Sequence, residues 1–196
     1  MSKRTPARVT RLLERLPHGD SAAMDELFSV LYEELHAVAH RQRRHWRGDD
    51  TLQTTALVNE AYLKLVGQAR IEAESRAHFL ALAARAMRHI LCNYARDRRA
   101  QKRGGGFAHT ALHESGADAA RAAFPAEPSD ALVALDEALR RLEQVDPRQS
   151  RVVEYRFFGG LTIDETAAAL AISPRTVKRD WAVAQAWLHR EIKALP

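Results

Sequence analysis

The sequence predicts an all-α fold in which two small helical domains are joined by a flexible linker. Apolar residues recur at steps of three and four along most of the chain, which is the spacing of one helical face. Ala, Leu, Arg and Glu dominate the first half, where Val, Ile and Thr are sparse, and this composition favours helices over strands. A stretch rich in Ala, Gly and Pro divides the helical segments into two groups.

The first predicted domain covers residues 9–104 and contains three helices. They are predicted over residues 24–38, 54–66 and 76–103. Asp20 stands where it can cap the first of them, and Gly104 begins a run of three glycines that ends the last. Residues 1–8 precede the domain and are expected to be disordered.

The second predicted domain covers residues 129–196 and follows a linker at residues 105–128. The linker combines Ala and Gly with Pro125 and Pro128 and shows no helical period. Four helices are predicted after it. Each begins at a segment suited to capping, namely Ser129-Asp130, Asp146-Pro147, Thr162-Ile163-Asp164-Glu165 and Ser173-Pro174.

Positive charge is concentrated in the first domain. The chain of 196 residues has a net charge of +5, but 19 Lys and Arg stand against 12 Asp and Glu over residues 1–104, and 11 against 13 over residues 105–196. The excess lies in two groups: Arg41, Arg43, Arg44 and Arg47, and then Arg88, Arg96, Arg98, Arg99, Lys102 and Arg103. Such clusters indicate a polyanionic partner, most commonly nucleic acid. For either group alone, a solvated helix face is the alternative.

The composition also argues against several classes of protein. No apolar run approaches the ~18 residues that a membrane span needs. No apolar stretch of signal-peptide length follows the basic N-terminus, so secretion is not expected. Cys92 is the single cysteine, which excludes an internal disulfide and a multi-cysteine zinc site. We therefore expect a cytoplasmic protein.

Residues 162–188 predict a helix-turn-helix. A short helix with small residues is followed by a turn that holds Ile172, and a longer helix comes next. The first turns of the longer helix carry hydroxyls and cations, at Ser173, Arg175, Thr176, Lys178 and Arg179. In a recognition helix these turns enter the major groove, where Arg and Lys contact guanine or phosphate. An ordinary helical hairpin is the alternative on geometry alone.

Three stretches of the chain resemble bacterial sigma factors of the extracytoplasmic-function type. Residues 19–28 resemble the opening helix of sigma region 2, and residues 56–66 resemble the segment that grips the clamp helices of RNA polymerase. Residues 155–167 together with 173–178 resemble the helix-turn-helix of region 4. The resemblance extends from about Val9 to Ile192 and places the three stretches in the family's order.

This resemblance implies a sigma factor that binds core RNA polymerase and directs promoter-specific initiation of transcription. Region 2 would bind and melt the minus-10 element, and region 4 would read the minus-35 element through the five recognition-helix residues. Polymerase contacts are expected from Asn59, Glu60 and Lys64. Contacts to the minus-10 region are expected from Arg88, His89, Asn93, Arg96, Arg98, Arg99 and Lys102 on one exposed helix face. Promoter DNA is thus an expected partner, and so is an anti-sigma factor.

Aromatic side chains that could receive an unpaired base are harder to assign. Phe79 and Tyr94 lie on the predicted apolar stripe and are expected in the core. Trp46, which stands between arginines, is the better candidate for an exposed ring.

A stand-alone helix-turn-helix regulator with an N-terminal dimerisation domain is the main alternative function. It would bind a palindrome without polymerase.

A zinc hydrolase has only two histidine pairs in its favour, His36 with His40 and His109 with His113. Ala37 stands where the metalloprotease helix has Glu. We therefore expect no catalytic residue, no metal, no cofactor and no small-molecule substrate.

Overall fold

The computed structural model describes residues 4–45, 53–68, 71–103 and 128–194. Within these ranges the chain forms helices, helical turns and short connections, and it contains no strand. The prediction of an all-α fold is confirmed. None of the described helices is long and apolar enough to cross a membrane.

The described residues of the first half form five helices and one 3-10 turn. They are α1 (Arg4–Leu13), the turn Leu16–His18, α2 (Ser21–Val30), α3 (Tyr32–His45), α4 (Thr54–Val66) and α5 (Arg76–Arg103). The bounds of α4 and α5 agree with the prediction. Asp20 caps α2, because its carboxylate accepts a hydrogen bond of 3.0 Å from the backbone N–H of Ala23.

Two expectations for this half are wrong. The disorder expected over residues 1–8 is wrong for residues 4–8, which belong to the helix α1 that buries Val9 and Leu12 in the core, while residues 1–3 lie outside the described ones. The helix expected over residues 24–38 is interrupted at Leu31, whose φ of −100° and ψ of 10° lie outside the helical region. Backbone hydrogen bonds continue on both sides of Leu31, which explains why the apolar period runs through the break.

Over residues 128–194, the part of the second half that the structure describes, the chain forms four helices and a π-helical turn. They are α6 (Pro128–Val145), α7 (Pro147–Val153), the π turn Glu154–Phe158, α8 (Ile163–Leu170) and α9 (Pro174–Ala194). Asp146 caps α7 by accepting from the backbone N–H groups of Arg148 and Gln149, at 3.1 and 3.0 Å. The helix predicted to start at residues 129–130 begins at Pro128.

A single apolar cluster contains residues from both halves of the chain. Phe79 and Leu27 belong to it from the first half, and Leu139 and Phe158 belong to it from the second. Helix α5 packs against α6 and against the π turn, so the halves are in direct contact. Two domains with the proposed boundaries stay a prediction, and residues 105–127 of the expected linker lie outside the described residues.

Candidate functional site

A capping box fixes the start of the helix-turn-helix at α8. The hydroxyl of Thr162 accepts from the backbone N–H of Glu165 at 3.2 Å, and the Glu165 carboxylate accepts from the backbone N–H of Thr162 at 2.9 Å. The hydrogen bonds that the Glu165 carboxylate accepts from the backbone N–H and the hydroxyl of Thr162 hold the pKa of Glu165 below its usual range. After α8, Ala171 adopts a left-handed conformation with φ of 52°, and the N–H of Ile172 donates to the carbonyl of Ala167 at 3.0 Å. The chain thus turns tightly into α9.

The two hydroxyls at the start of α9 have a structural role. The Oγ of Ser173 accepts from the backbone N–H of Thr176 at 3.1 Å and lies 2.8 Å from the Thr176 Oγ1. Ser173 therefore caps α9. On the inner face, Val177 and Ala184 are fully buried, and Val177 packs with Ala167 of α8.

The cations predicted for the recognition helix lie on its outer face. Arg175, Lys178 and Arg179 are all exposed. The Arg179 guanidinium lies 3.2 Å from the carboxylate of Asp180, which is buried and also accepts from Arg148 at 2.6 Å. The guanidinium of Arg179 is thereby oriented by Asp180, while Arg175 and Lys178 project from the same first turns of α9.

The residues predicted to contact the minus-10 region do not share one exposed face. Arg88 is only 2% exposed, so the expectation that it lies on the surface is wrong. His89 and Arg96 are half-buried, and Asn93 is exposed. Three further members of the predicted set occupy the last turns of α5, and their side chains lie outside the described ones: Arg98, Arg99 and Lys102.

Arg88 is buried because the second half of the chain supplies two carboxylates to it. Its guanidinium lies 2.5 Å from Asp136 of α6 and 2.9 Å from Glu154 of the π turn. Asp136 is fully buried, and Glu154 is 6% exposed. The Arg88 guanidinium also lies 5.2 Å from the centre of the Phe158 ring, within the range of a cation–π interaction.

Other charges extend this arrangement, which we call the ion network. Asp136 also pairs with Arg96 at 3.0 Å and with Arg140 at 3.1 Å. Arg85 pairs with Glu154 at 3.4 Å and with Glu143 at 2.8 Å. The ion network consists of Arg85, Arg88, Arg96, Asp136, Arg140, Glu143 and Glu154.

Burial shifts the pKa of titratable groups in and beside the ion network. Burial and the Arg88 charge lower the pKa of His89 to about 4. Burial raises the pKa of Glu154, although Arg88 and Arg85 oppose that shift. Burial likewise raises the pKa of the Cys92 thiol to about 12. Cys92 is fully buried, as predicted, and its sulfur lies 3.9 Å from the carbonyl oxygen of Leu132 in α6.

The acidic partners were missed by reasoning from the sequence. Asp136 lies four residues after Leu132 and three before Leu139, so it shares the apolar face of α6. An acid on that face is a signal of a buried partner, because an unpaired buried carboxylate is costly. The sequence pattern does not identify the partner, which lies 48 residues away.

Of the aromatic candidates, Phe79 is buried in the core as expected, whereas Tyr94 is 41% exposed. The expectation that Tyr94 belongs to the core is wrong, since its hydroxyl donates to Glu60 of α4 at 2.8 Å. That hydrogen bond raises the pKa of Tyr94. Trp46 lies outside the described residues.

The predicted polymerase contacts lie on the outer face of α4. Asn59 and Lys64 are exposed, and Glu60 is half-buried beneath Tyr94. Asn59 lines a surface cleft of about 470 Å³ between α4 and the α2–α3 junction. Leu63, which the sequence did not single out, is 66% exposed on the same helix.

The histidine pairs gain no support as metal ligands. Among the described residues, no group of three or more His, Cys, Asp or Glu side chains is placed to hold a metal ion. His36 and His40 are within α3, and His109 and His113 lie outside the described part of the chain.

These features define a helical protein with a capped helix-turn-helix and a cationic outer helix. A family model described as "ECF sigma factor" matches residues 6–194, which is nearly the whole chain. The chain therefore belongs to the ECF sigma factor family, whose members bind RNA polymerase and act in transcription initiation without catalysing a reaction. No curated protein and no solved structure gave a significant match.

Proposed function

We propose that this sigma factor reads duplex promoter DNA upstream through α9, docks on core RNA polymerase through α4, and holds the opened minus-10 strand on α5. The observation that carries the proposal is the outer edge of α9. There Arg175 and Lys178 are exposed in the first two turns, while Val177 between them is buried against α8.

The positive charge at the start of α9 suits a contact with the minus-35 element. Arg and Lys at the start of a recognition helix reach guanine O6 and N7 in the major groove, and the helix N-terminus attracts phosphate. Because the Asp180 carboxylate hydrogen-bonds to the Arg179 guanidinium, the Arg179 side chain loses less conformational entropy when it enters the groove. Ser173 and Thr176 support the same surface by capping the helix rather than by a free hydroxyl.

The outer face of α4 supports docking on polymerase. Leu63 is an exposed apolar side chain between polar ones, and Asn59 lies beside the cleft that Tyr62 and Phe28 line. Protein interfaces combine such an apolar centre with a polar rim. Tyr94 joins this surface through its hydrogen bond to Glu60, so α4 and α5 present one continuous patch.

No catalysis by the chain is needed for promoter opening. A surface on α5 that binds the separated strand better than the duplex shifts the equilibrium toward the melted state. Cations on such a surface supply affinity through phosphates, without reading sequence. The polymerase and promoter sites both lie in the cytoplasm, where we propose that the protein acts.

Promoter-directed transcription by core polymerase plus the purified chain tests the proposal. Arg175→Ala should weaken promoter binding by about 5- to 150-fold, the equivalent of ~1–3 kcal/mol for a lost guanine contact. Arg190→Ala is the matched control, since it removes one exposed cation from the same helix ~22 Å further along the axis. Equal affinities in the two variants would remove α9 as the reading helix.

Core binding is tested separately by pull-down. Glu60→Lys should impair capture by core polymerase, because it reverses a charge within the α4 patch and removes the acceptor for Tyr94. Glu14→Lys, the same reversal at an exposed site outside α4, should bind normally. If the wild-type chain binds a promoter as a dimer and is not retained by core polymerase, it is a stand-alone regulator instead.

A further inference from the structure

Asp180 is an acidic residue on the inner face of α9. Its side chain is buried, and it shares that face with Val177, three residues before it, and with Ala184, four residues after it. A buried carboxylate is costly unless it is paired and accepts hydrogen bonds. The groups that bond to Asp180 therefore indicate what an acid does at this position.

Two arginines from different helices bond to the Asp180 carboxylate. Arg148 of α7 donates through Nε to Oδ2 at 2.6 Å and through Nη2 to Oδ1 at 3.4 Å. Arg179 donates to Oδ1 through both Nε and Nη2, each at 3.2 Å. The side chains of Arg148 and Arg179 are 45% and 65% exposed. Only the carboxylate is therefore removed from water, and two solvated cations offset the cost of its burial.

The contact with Asp180 leaves one edge of the Arg179 guanidinium available. A guanidinium carries five N–H donors in a planar fork. Asp180 accepts from the Nε–H and from one N–H of Nη2, which together form the side edge of the group. The other N–H of Nη2 and those of Nη1 form the end edge, and this edge matches the O6 and N7 acceptors of guanine. Arg179 can thus be held by one edge and bind guanine with the other.

The other exposed cations at the start of α9 are not held in this way. In the described part of the chain, neither Arg175 nor Lys178 has a carboxylate partner. A cation without such a partner loses more conformational entropy when a base fixes it, and it reaches phosphates, which carry no sequence information, as readily as bases. Arg179 is therefore the cation of this surface whose direction is set before DNA binds.

From this geometry we propose that Asp180 is a positioning residue: it fixes Arg179 so that the free edge of the guanidinium binds a guanine, and it thereby sets the base preference at one base pair of the minus-35 element. The inference rests on the proposed function of α9 as the helix that reads the duplex. It adds a residue that touches no base and yet decides which base is preferred.

The charge of Asp180 acts on DNA of every sequence in the opposite direction. A carboxylate beside the cations of α9 repels phosphates, so it weakens the part of the affinity that comes from the backbone alone. Asp180 should therefore increase the discrimination between sequences while it lowers the affinity for DNA in general. A residue that only stabilised the fold would support both kinds of binding, and this difference in sign separates the two roles.

The test compares Asp180→Asn with Asp164→Asn in the full chain bound to core polymerase. Asparagine keeps the size of Asp180 and removes its charge, and Asp164→Asn removes the same charge from an exposed site on α8. The probe is a pool of promoter duplexes randomised across the minus-35 element, in which bound and unbound sequences are counted. In Asp180→Asn the preference for guanine at one base pair should fall by about fivefold or more, since a bidentate guanine contact accounts for about 5- to 150-fold. Asp164→Asn should keep that preference.

Affinity for a duplex without a promoter is measured on the same variants. Asp180→Asn should bind this duplex at least as tightly as the wild type does, whereas a loss of affinity for both duplexes would mean that Asp180 only supports the fold and would overturn the proposal.

The affected base pair identifies the arginine through which Asp180 acts. Arg179→Ala should lose guanine preference at the same base pair as Asp180→Asn, and adding Asp180→Asn to Arg179→Ala should cause no further loss. Wild-type preference in Asp180→Asn at the base pair that Arg179→Ala affects would overturn the inference and leave the reading role of α9 standing. If the wild type prefers no base at any position of the minus-35 element, the proposed function of α9 is refuted and the inference with it.

A measurement on the wild-type chain keeps the test valid if Asp180→Asn fails to fold. Relaxation of the arginine Nε–H groups in nuclear magnetic resonance reports how rigid each guanidinium is before DNA binds. Arg148 and Arg179 should give higher order parameters than Arg175, with the Arg179 signal assigned by its absence in Arg179→Lys. An Arg179 side chain as mobile as that of Arg175 would overturn the proposal.

Discussion

Replacing Arg88 with leucine removes the central cation of the ion network. In the wild type the Arg88 guanidinium pairs with Asp136, which is fully buried, and with Glu154, which is 6% exposed. Removing one partner of a buried ion pair costs about 3–5 kcal/mol, because the other partner is left charged and desolvated. Asp136 keeps Arg96 and Arg140, and Glu154 keeps Arg85 at 3.4 Å. We therefore expect the free energy of unfolding to fall by about 3 kcal/mol, near the lower end of that range.

Arg140→Leu is the matched control, because Arg140 pairs with the same Asp136 carboxylate. Its side chain is 56% exposed, and the pair is separated by four residues on one helix. Although Asp136 is buried, the Arg140 cation stays in water, and pairs of this spacing with an exposed cation contribute about 0.3–0.5 kcal/mol. The two arginines thus differ in burial while sharing a partner.

Urea denaturation followed by circular dichroism measures the free energies of unfolding of both variants. A double variant, Arg88→Leu with Asp136→Leu, should recover much of the loss, since two apolar residues replace a buried pair. Equal losses for the Arg88 and Arg140 variants would refute the argument that burial sets the cost.

Three further predictions concern stability. Thr162→Ala breaks the capping box and should lower the free energy of unfolding by about 1 kcal/mol in denaturant titrations, with no loss contradicting the cap's role. Gly160→Ala should lower the melting temperature more than Gly19→Ala: both glycines have φ near +70°, but only at Gly160 would the new methyl collide with the Arg41 guanidinium. Equal decreases in melting temperature would mean that the Arg41 side chain moves aside at no cost in stability. The pKa of His89 is about 4 when folded and near 6.5 when unfolded, so the unfolded chain binds an extra proton between those values and stability falls as pH drops from 6.5 to 4. His89→Gln should flatten that fall in denaturation at pH 7, 6 and 5, and an unchanged slope would contradict the buried, neutral ring.

Helix starts were predictable because capping is a local interaction. Asp20, Asp146 and Thr162 each bond to backbone N–H groups two or three residues ahead, within the reach of a sequence pattern. The faces of α9 were predictable for the same reason, since its buried Val177 and exposed Arg175 follow one helical period.

Other features depended on distant residues. The helix of α1 was not expected from its polar composition, yet Val9 and Leu12 dock into the core formed by later helices. Tyr94 fits an apolar period, but its hydroxyl bonds to Glu60, 34 residues earlier, and the ring stays at the surface. Each outcome depends on a neighbour that is distant in the sequence, and a local apolar period carries no information about such a neighbour.

The sequence alone determined that the chain is helical, where most helices begin, and that α9 carries a cationic outer edge, because these properties arise from interactions within a few residues. The tertiary structure determined whether the cations of α5 are exposed to solvent. Arg88 and Arg96 look like a solvated face in the sequence, but Asp136 and Glu154, 40 to 66 residues further on, bring carboxylates onto that face. A charged side chain is buried only where such partners converge on it, and only the fold brings them together.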